Sequence, residues 1–290
     1  MGAVVGVIGG SGLYAMAALE EAQEVSIDTP YGKPSDAVMV GTVAGTPVAF
    51  LARHGRGHRL LPTEVNYRAN IHAMSQFGVR YLVSVSAVGS LREDIAPLDI
   101  VLPDQFIDLT RRRETTFFGE GVVAHASMAQ PVCQAVTRIL GETVASLGAD
   151  FPARLHTAGT YVCIEGPHFS SLAESHWYRS MRADVIGMTN MPEAKLAREA
   201  QIAYATMAMV TDYDCWHPHE ADVSADLALR NLQENSARAQ RIVAEAVGRL
   251  GRELPPSIAH AALSQALVTQ PDDMSPTRRA ALAPFFGQNI

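Results

Sequence analysis

The feature that most constrains this chain is a series of short apolar runs, each ended abruptly by glycine, serine or charged residues. The runs cover residues 4–8, 48–51, 81–85, 100–102 and 203–210. None of them alternates cleanly between apolar and polar residues, which is typical of strands that are covered on both faces. The runs therefore predict strands buried in a central sheet.

Helical patterns lie between these runs. Apolar residues recur at intervals of three and four over residues 132–147, with Pro131 placed to open a helix and Gly148 placed to end it. A second pattern of this kind follows a possible N-cap at Ser224 and continues to Leu250. Strands that alternate with helices predict an α/β fold with a largely parallel or mixed sheet.

We expect one domain over residues 1–250, since a single α/β domain of this size is ordinary. Residues 251–290 have weaker periodicity and several prolines. We interpret them as a C-terminal extension packed on the domain or on a neighbouring subunit.

Composition excludes several classes of function. The formal net charge is -7 and the basic residues are scattered, which argues against a nucleic-acid-binding protein. The three cysteines lie far apart, which is typical of reduced thiols in a cytoplasmic protein. The apolar N-terminus has no basic segment before it and is interrupted by glycines, so we expect neither a signal peptide nor a membrane span.

Metal binding is also not expected. The segment His217-Pro218-His219-Glu220 contains two histidines, but its proline prevents the helical pairing that zinc enzymes use. No other set of ligand residues accompanies it, so we interpret these residues as part of a polar loop.

Three strand ends carry groups that can hold a small anion. Gly9-Gly10-Ser11-Gly12 offers backbone N–H groups and a hydroxyl, Arg53-His54 offers a guanidinium and a further donor, and Ser86-Ala87 offers another hydroxyl. Because open α/β sheets bind ligands at the carboxyl ends of their strands, together they predict a phosphate site. Each motif alone is more often a turn or a surface pair, and the glycine loop also matches a dinucleotide-binding pattern loosely.

The segment Thr211-Asp212-Tyr213-Asp214 follows the run 203–210 directly. If the strand geometry persists, the two carboxylates point the same way, because alternate residues of a strand share a face. Paired carboxylates can divide the work of acid and acceptor when their surroundings separate their pKa values. An acidic loop that caps the following turn is an equally common alternative.

These motifs together resemble the methylthioadenosine phosphorylases, in the trimeric branch of the purine nucleoside phosphorylases. The resemblance covers residues 5–250, and its motifs occur in the family's order. The motifs are Gly9-Gly10-Ser11-Gly12-Leu13, Leu51-Ala52-Arg53-His54-Gly55, Val65-Asn66-Tyr67-Arg68-Ala69-Asn70, Glu165-Gly166-Pro167, Asp184-Val185-Ile186-Gly187-Met188-Thr189 and Thr211-Asp212-Tyr213-Asp214-Cys215-Trp216. It implies a single α/β domain around a mixed sheet, and a homotrimer with active sites near the subunit boundaries.

The resemblance also implies the residues of the active site. Those implied to bind phosphate are Ser11, Arg53, His54, Ser86, Ala87 and Thr189. Those implied to bind the nucleoside are Met188 at the ribose, Phe169 and Ser170 beside the base, and Asp212 and Asp214 facing N7 and the 6-amino group. The 5' pocket would draw on Ala225, Ala228 and Leu229, with His125 from the neighbouring subunit.

The implied reaction is phosphorolysis of 5'-methylthioadenosine, with inorganic phosphate as co-substrate, Asp212 as general acid and no cofactor. Some relatives carry valine where Ala225 and Ala228 stand, which suggests a roomier pocket and 5'-deoxyadenosine as a second substrate. The alternatives are a 6-oxopurine phosphorylase, a binding module without catalysis and, more distantly, a dinucleotide-dependent dehydrogenase. Asp214 argues against the first of these, since a carboxylate repels a 6-oxo group.

Overall fold

The computed structural model describes residues 2–10, 16, 18–148, 153–218 and 225–286. For residues 225–230, 232 and 233 it describes only the helical backbone. Within these ranges the strands are β1 (Val5–Gly9), β2 (Glu20–Val25), β3 (Val38–Val43), β4 (Thr46–Ala52), β5 (Tyr81–Ser90), β6 (Ile100–Val101), β7 (Gln105–Asp108), β8 (Leu155–His156), β9 (Thr160–Cys163), β10 (Val185–Gly187) and β11 (Ala203–Asp212). The α-helices are α1 (Tyr67–Gln76), α2 (Gln134–Ser146), α3 (Leu172–Ser180), α4 (Glu193–Glu199), α5 (Ala225–Glu253) and α6 (Pro276–Phe286).

The strands form one mixed sheet whose centre is β5. Its main order is β2-β3-β4-β1-β5-β10-β9-β7, and β11 branches from it by pairing with β5 and β6, while β8 pairs with β6. Strand β5 is parallel to β1 and β11 but antiparallel to β10. This confirms the prediction of a single α/β domain with a central mixed sheet flanked by helices.

All five apolar runs form strands, and the largest difference from the predicted bounds is in β5. Strand β5 does not end before Ser86 and continues to Ser90, so Ser86 and Ala87 lie within the strand and not in a loop after it. The reason is pairing with β11, which places Ala208 beside Ser86 and continues to Asp212 beside Gly89. Backbone pairing with a long neighbour therefore carries the strand through small and polar residues.

Helices cover both faces of the sheet, which explains why the strands show no clean alternation. On one face, Val5 and Val7 belong to an apolar cluster with residues of α2 and α5, while Ile8 belongs to a second cluster that includes residues of α1, α4 and α6. Helix α2 begins after its N-cap Cys133 and ends before Leu147, within the residues that its spacing predicts.

The described part of the C-terminal segment packs on this same chain. Helix α5 continues to Glu253, past the expected end of the domain, and is followed by a 3-10 turn at Ile258–Ala261 and by α6. Leu282 and Phe285 of α6 are buried in the core, and the ring of His72 in α1 hydrogen bonds to the Ala281 carbonyl. No helix in the described ranges is both long and apolar enough to cross a lipid bilayer.

Candidate active site

Strand register places three of the predicted phosphate-binding motifs side by side. Strand β1 pairs Gly9 with Ala52 of β4, and pairs Ile8 with Ser84 of β5. The next residues along these strands therefore bring Gly10, Arg53 and Ser86 to one level at the carboxyl ends of β1 and β4. Ser11 lies outside the described residues.

Two of the predicted phosphate residues, Ser86 and Thr189, are in direct contact. Their hydroxyl oxygens lie 3.0 Å apart, and the Ser86 hydroxyl also lies 3.2 Å from the phenol oxygen of Tyr161. Thr189 reaches this position because β10, which ends two residues earlier at Gly187, pairs with the end of β5. Ala87 lies beside them in β5.

The guanidinium of Arg53 is buried and held within the chain. Its Nε donates to Oε2 of Glu193 over 2.8 Å, and Nη2 donates to Oε1 of Glu193 over 3.1 Å and to Ser84 Oγ over 2.6 Å. Nη1 donates to the Val85 carbonyl over 3.0 Å. Glu193, the first residue of α4, was not among the predicted site residues, because nothing in its local pattern distinguishes it from a surface glutamate.

His54 is a neutral imidazole whose tautomer is set by its backbone contact. Burial, and secondly the charge of Arg53, lower its pKa to about 4. Its Nδ1 lies 2.9 Å from the Leu60 carbonyl, which can only accept, so Nδ1 carries the proton and Nε2 is an acceptor. The further donor that we expected from His54 therefore requires a protonated ring. The ring also stacks on His58.

Asp212 and Asp214 are both buried at the end of β11, but the strand geometry does not persist between them. Strand β11 ends at Asp212 after a register shift, and Asp214 has a left-handed backbone with φ 54°. The Asp214 N–H donates to Oδ1 of Asp212 over 2.9 Å, and the Thr211 hydroxyl donates to Oδ2 over 2.6 Å. The pair is thus a turn at a strand end that brings both carboxyls inside the protein.

Burial raises the pKa of both carboxyls above the ordinary value for aspartate. For Asp212 the two hydrogen bonds oppose this rise and the charge of Asp214 adds to it. For Asp214 the hydroxyls of Ser175 and Ser170 oppose the rise. A carboxyl with a raised pKa keeps its proton to higher pH, which suits a group that donates a proton.

Three buried polar atoms cluster around Asp214. Its Oδ2 and the hydroxyl oxygens of Ser170 and Ser175 have no hydrogen-bond partner of good geometry among the described residues, although both hydroxyls lie near enough to affect the Asp214 carboxyl. The two hydroxyls and the carboxyl therefore form one buried polar group whose members lie next to each other, and such a group can hydrogen bond to a polar ligand. Ser170 is also tied to the residue after Asp214, since the Cys215 thiol donates to its carbonyl over 3.3 Å.

Of the other residues predicted to contact the nucleoside, one is exposed and one packs against apolar side chains. Phe169, just before Ser170, is 51% exposed. Met188 follows β10 and packs against a small apolar cluster that includes Ile186 and Trp216.

Arg113 was not among the predicted site residues, and it joins the loops that carry Met188 and Ser170. Its guanidinium is buried and donates to the carbonyls of Met188 and Met191 over 2.7 and 2.6 Å. It also donates to the Glu165 carbonyl over 2.8 Å and forms an ion pair with the Glu165 carboxylate at 3.1 Å. No sequence pattern links residues so far apart, and only the fold shows this contact.

The predicted 5' pocket is described in part. Ala225, Ala228 and Leu229 lie in the first turns of α5, and their side chains fall outside the described residues. Helix α5 is joined to β11 by Asn231, whose amide donates to the Thr211 carbonyl over 2.7 Å, and by Asn235, which donates to Val210 over 3.0 Å.

His125 is exposed, and its backbone N–H donates to Ala266 in the C-terminal segment. Among the described residues, no hydrogen bond or ring contact joins its side chain to the other predicted site residues.

Where the chain is described, no group of three histidine, cysteine, aspartate or glutamate side chains is arranged to hold a metal ion. His219 and Glu220 of the segment considered above lie outside the described ranges. The absence of a metal therefore stays a prediction.

Comparison with known proteins supports the family. Residues 4–248 match the family model described as the phosphorylase superfamily. The S-methyl-5'-thioadenosine phosphorylase of Gloeobacter violaceus is 56% identical over 279 residues, which cover 96% of this chain and 93% of that protein. A crystal structure of a methylthioadenosine phosphorylase from an Antarctic soil metagenomic library is 59% identical with a TM-score of 0.92, covering 98% of this chain and 99% of that one.

A more distant structure includes a nucleoside. It is a mutant of the adenosine/methylthioadenosine phosphorylase of Schistosoma mansoni in complex with methylthioadenosine. It is 36% identical with a TM-score of 0.81 and covers 87% of this chain and 92% of that one. The chain therefore belongs to the phosphorylase superfamily, within the family of the S-methyl-5'-thioadenosine phosphorylases.

Proposed function

We propose that this protein catalyses phosphorolysis of 5'-methylthioadenosine to adenine and 5-methylthioribose 1-phosphate. Inorganic phosphate is the co-substrate, and no cofactor takes part. The observation that carries the proposal is the buried pair Asp212 and Asp214, which lies further along β5 and β11 than the hydroxyl pair of Ser86 and Thr189. The reaction would make the protein a pentosyltransferase that serves methylthioadenosine salvage.

The spacing of these two pairs suits a nucleoside between them. Asp212 lies beside Gly89 in the sheet, and Gly89 is three residues beyond Ser86 along β5. At the rise of a strand this amounts to about 10 Å, which is room for a sugar between a phosphate and a base. A Cβ at Gly89 would meet Oδ1 of Asp212 at 2.8 Å, so the glycine leaves space for that carboxyl.

In the proposed reaction, phosphate attacks the anomeric carbon while the glycosidic bond breaks. The sugar gains positive charge in the transition state, and the negative phosphate stabilises it electrostatically. Because phosphate is already bound next to the sugar, the entropic cost of bringing the two molecules together is met on binding and not in the chemical step. The hydroxyls of Ser86 and Thr189, the backbone N–H of Ala87 and the free N–H of Arg53 are the donors that we assign to this task.

Adenine leaves as a neutral base only if it is protonated, and we assign this proton to Asp212. Burial raises the pKa of this carboxyl, which keeps a larger fraction of it protonated near neutral pH. Proton donation to N7 as the bond to the sugar breaks is general acid catalysis, which typically contributes about 10²–10⁴-fold to a rate.

We assign recognition of the 6-amino group to Asp214. Its buried Oδ2 has no partner of good geometry among the described residues and can accept an N–H from the base. A 6-oxo group would face this oxygen with a second acceptor and be repelled. The site thus favours adenine over hypoxanthine as the leaving base.

The names of the relatives support the same substrate. The relatives at 56% identity are S-methyl-5'-thioadenosine phosphorylases, and the Schistosoma mansoni structure contains methylthioadenosine. We extend the proposal to a cytoplasmic homotrimer in which His125 of a neighbouring subunit completes the 5' pocket beside Ala225, Ala228 and Leu229. We also expect 5'-deoxyadenosine to be a second substrate.

The experiment that tests the function is adenine release from 5'-methylthioadenosine with and without phosphate, with inosine in parallel. Release that depends on phosphate supports the proposal. Release without phosphate would make the protein a hydrolase, and activity on inosine alone would make it a 6-oxopurine phosphorylase. Light scattering at the assay concentration tests the trimer, which a monomer would contradict.

A further inference from the structure

The guanidinium of Arg53 has little capacity left for a ligand. Of its five N–H groups, Nε is bound to Glu193, the two on Nη2 are bound to Glu193 and Ser84, and one on Nη1 is bound to the Val85 carbonyl. One N–H on Nη1 remains. Arg53 therefore offers phosphate one hydrogen bond and cannot form the two-pronged contact that arginine usually makes with phosphate.

Glu193 is held as firmly as Arg53. Its Oε1 accepts from the Ser84 hydroxyl over 2.6 Å and from the Tyr204 phenol over 2.9 Å, in addition to Nη2 of Arg53. The Arg53 and Glu193 side chains are 2% and 1% exposed. Because water does not separate them, the positive charge of Arg53 is balanced at close range by the carboxylate.

Among the described residues predicted to bind phosphate, no second positive charge takes the place of the Arg53 charge that Glu193 balances. Among the residues predicted to bind phosphate, His54 is the only other basic one, and its ring is neutral at pH 7 because its pKa is lowered to about 4. Ser86, Ala87 and Thr189 contribute hydroxyl and backbone groups without charge. The described residues of the predicted phosphate site, taken with Glu193, have no net positive charge.

We propose that Glu193 is a positioning residue that cancels the charge of Arg53, so that phosphate is held by hydrogen bonds and keeps its own negative charge for the developing sugar cation. This inference rests on the proposed function. A site with an unpaired arginine would bind phosphate more tightly before the reaction and would reduce the charge available to the sugar. Tighter binding of the ground state without equal gain in the transition state lowers turnover.

The test is Glu193→Gln, which keeps the shape of the side chain and removes its charge. Isothermal calorimetry with inorganic phosphate should show binding at least about 10-fold tighter, because the unpaired Arg53 now attracts the dianion in a buried site. Turnover of 5'-methylthioadenosine should fall by about 10-fold or more as ground-state binding tightens. Phosphate should also raise the melting temperature of the variant more than that of the wild type. A folded variant that binds phosphate equally or more weakly would overturn the inference.

Tyr204→Phe is the matched control. It removes a hydrogen bond to the same carboxylate oxygen, and leaves both charges in place. Its affinity for phosphate should stay within about 2-fold of the wild type, because the charge balance is unchanged. If Tyr204→Phe tightens phosphate binding as much as Glu193→Gln does, the cause is loosening of the network and the inference is wrong.

A double variant covers the case in which Glu193→Gln does not fold. Arg53→Gln with Glu193→Gln removes both charges together, which buried pairs tolerate far better than the loss of one partner. Its phosphate affinity should fall by no more than about 10-fold, the upper value for one ordinary hydrogen bond, because the cancelled charge of Arg53 contributes nothing that could be lost. A larger loss would show that net charge from Arg53 holds phosphate and would overturn the inference.

The wild-type titration separates this inference from the proposed function. A wild-type protein that binds no phosphate would remove both the function and the role of Glu193. Phosphate-dependent adenine release, combined with the wrong response of the Glu193 variants, would remove only the role of Glu193.

Discussion

The backbone N–H of Asp214 donates to Oδ1 of Asp212 over 2.9 Å, and this bond forms a turn between the two carboxyl groups. The turn requires a left-handed backbone at Asp214, which aspartate and asparagine adopt more readily than most residues. It ends β11 and keeps both side chains buried. Two acidic groups with raised pKa values thus share one strand end, where we assign one to proton donation and the other to base recognition.

Asp212→Asn should lower kcat by about 10² or more, since the amide keeps the shape of the side chain but cannot donate an acidic proton. The measurement is steady-state release of adenine with saturating phosphate. Circular dichroism should show an unchanged fold. Near-native turnover in the folded variant would remove Asp212 from the role of general acid.

The same substitution should change stability in a manner that depends on pH. Burial raises the pKa of Asp212 in the folded state, so the folded protein binds the proton more tightly than the unfolded chain. The contribution of this group to stability is therefore greatest below the ordinary aspartate pKa and is lost as pH rises through the raised value. Asparagine does not ionise, so the variant does not lose stability in this way as pH rises. The melting temperature of Asp212→Asn relative to wild type should therefore increase from pH 4 to pH 8. A constant difference across this range would contradict the raised pKa.

Asp214→Asn should relax the choice of base. Asparagine tolerates the left-handed backbone at this position and can donate to a 6-oxo group, which the carboxylate repels. The ratio of kcat/KM for methylthioadenosine over methylthioinosine should fall by about 10²-fold, the upper end of the cost of one unsatisfied buried hydrogen-bonding group. The two nucleosides are compared at equal concentration on the same preparation, so loss of folded protein cancels. An unchanged ratio would assign recognition of the 6-position to another group.

The sheet was predictable because its strands are apolar on both faces. The order of the motifs along the chain was sufficient to identify the family. Register was not predictable from these patterns, and register is what makes Ser86 a strand residue beside Thr189. Likewise, the pairing of Asp212 with Gly89 depends on a shift between β11 and β5 that no local pattern encodes. Sequence patterns therefore located the end of the sheet where the candidate site lies, but not the arrangement of its groups.

The buried charges were missed for a related reason. Glu193 lies 140 positions from its partner Arg53, and Arg113 lies 52 positions from its partner Glu165. Local sequence patterns do not indicate contacts between residues so far apart in the chain. A buried arginine requires a carboxylate or several carbonyls as hydrogen-bond partners. The position of Arg53 directly after a buried strand therefore indicated that the chain contains such a partner for it. Only the fold identifies which glutamate it is.

Arg113→Met should destabilise the protein by about 3–5 kcal/mol, the cost of leaving a carboxylate and several carbonyls without a buried charged partner. The side chain of Arg113 is 1% exposed and joins the loops at residues 165 and 188–191. Urea denaturation measures the change. Arg112→Met is the control, since Arg112 is exposed and its substitution should stay within about 0.5 kcal/mol. Equal effects of the two variants would mean that Arg113 does not hold these loops together.

Gly187→Ala should weaken phosphate binding through Tyr161. A Cβ at residue 187 would lie 2.0 Å from the Tyr161 phenol oxygen, which is too close for any contact, so the phenol must move away from its 3.2 Å contact with the Ser86 hydroxyl. Overpacking of this kind costs about 1–3 kcal/mol of stability, and the KM for phosphate should rise as Ser86 loses its support.

Gly141→Ala is the matched control for this glycine. Residue 141 lies inside α2, and a Cβ there would have its nearest neighbour at 3.6 Å, an ordinary contact. Alanine should therefore raise stability by about 0.5–1 kcal/mol and leave the phosphate KM unchanged, because the helix gains a better helix former far from the hydroxyl pair. Urea denaturation and phosphate kinetics on both variants provide the comparison. A phosphate KM that stays at the wild-type value in Gly187→Ala would separate Tyr161 from the phosphate site, since the steric conflict leaves its hydroxyl no room to stay in place.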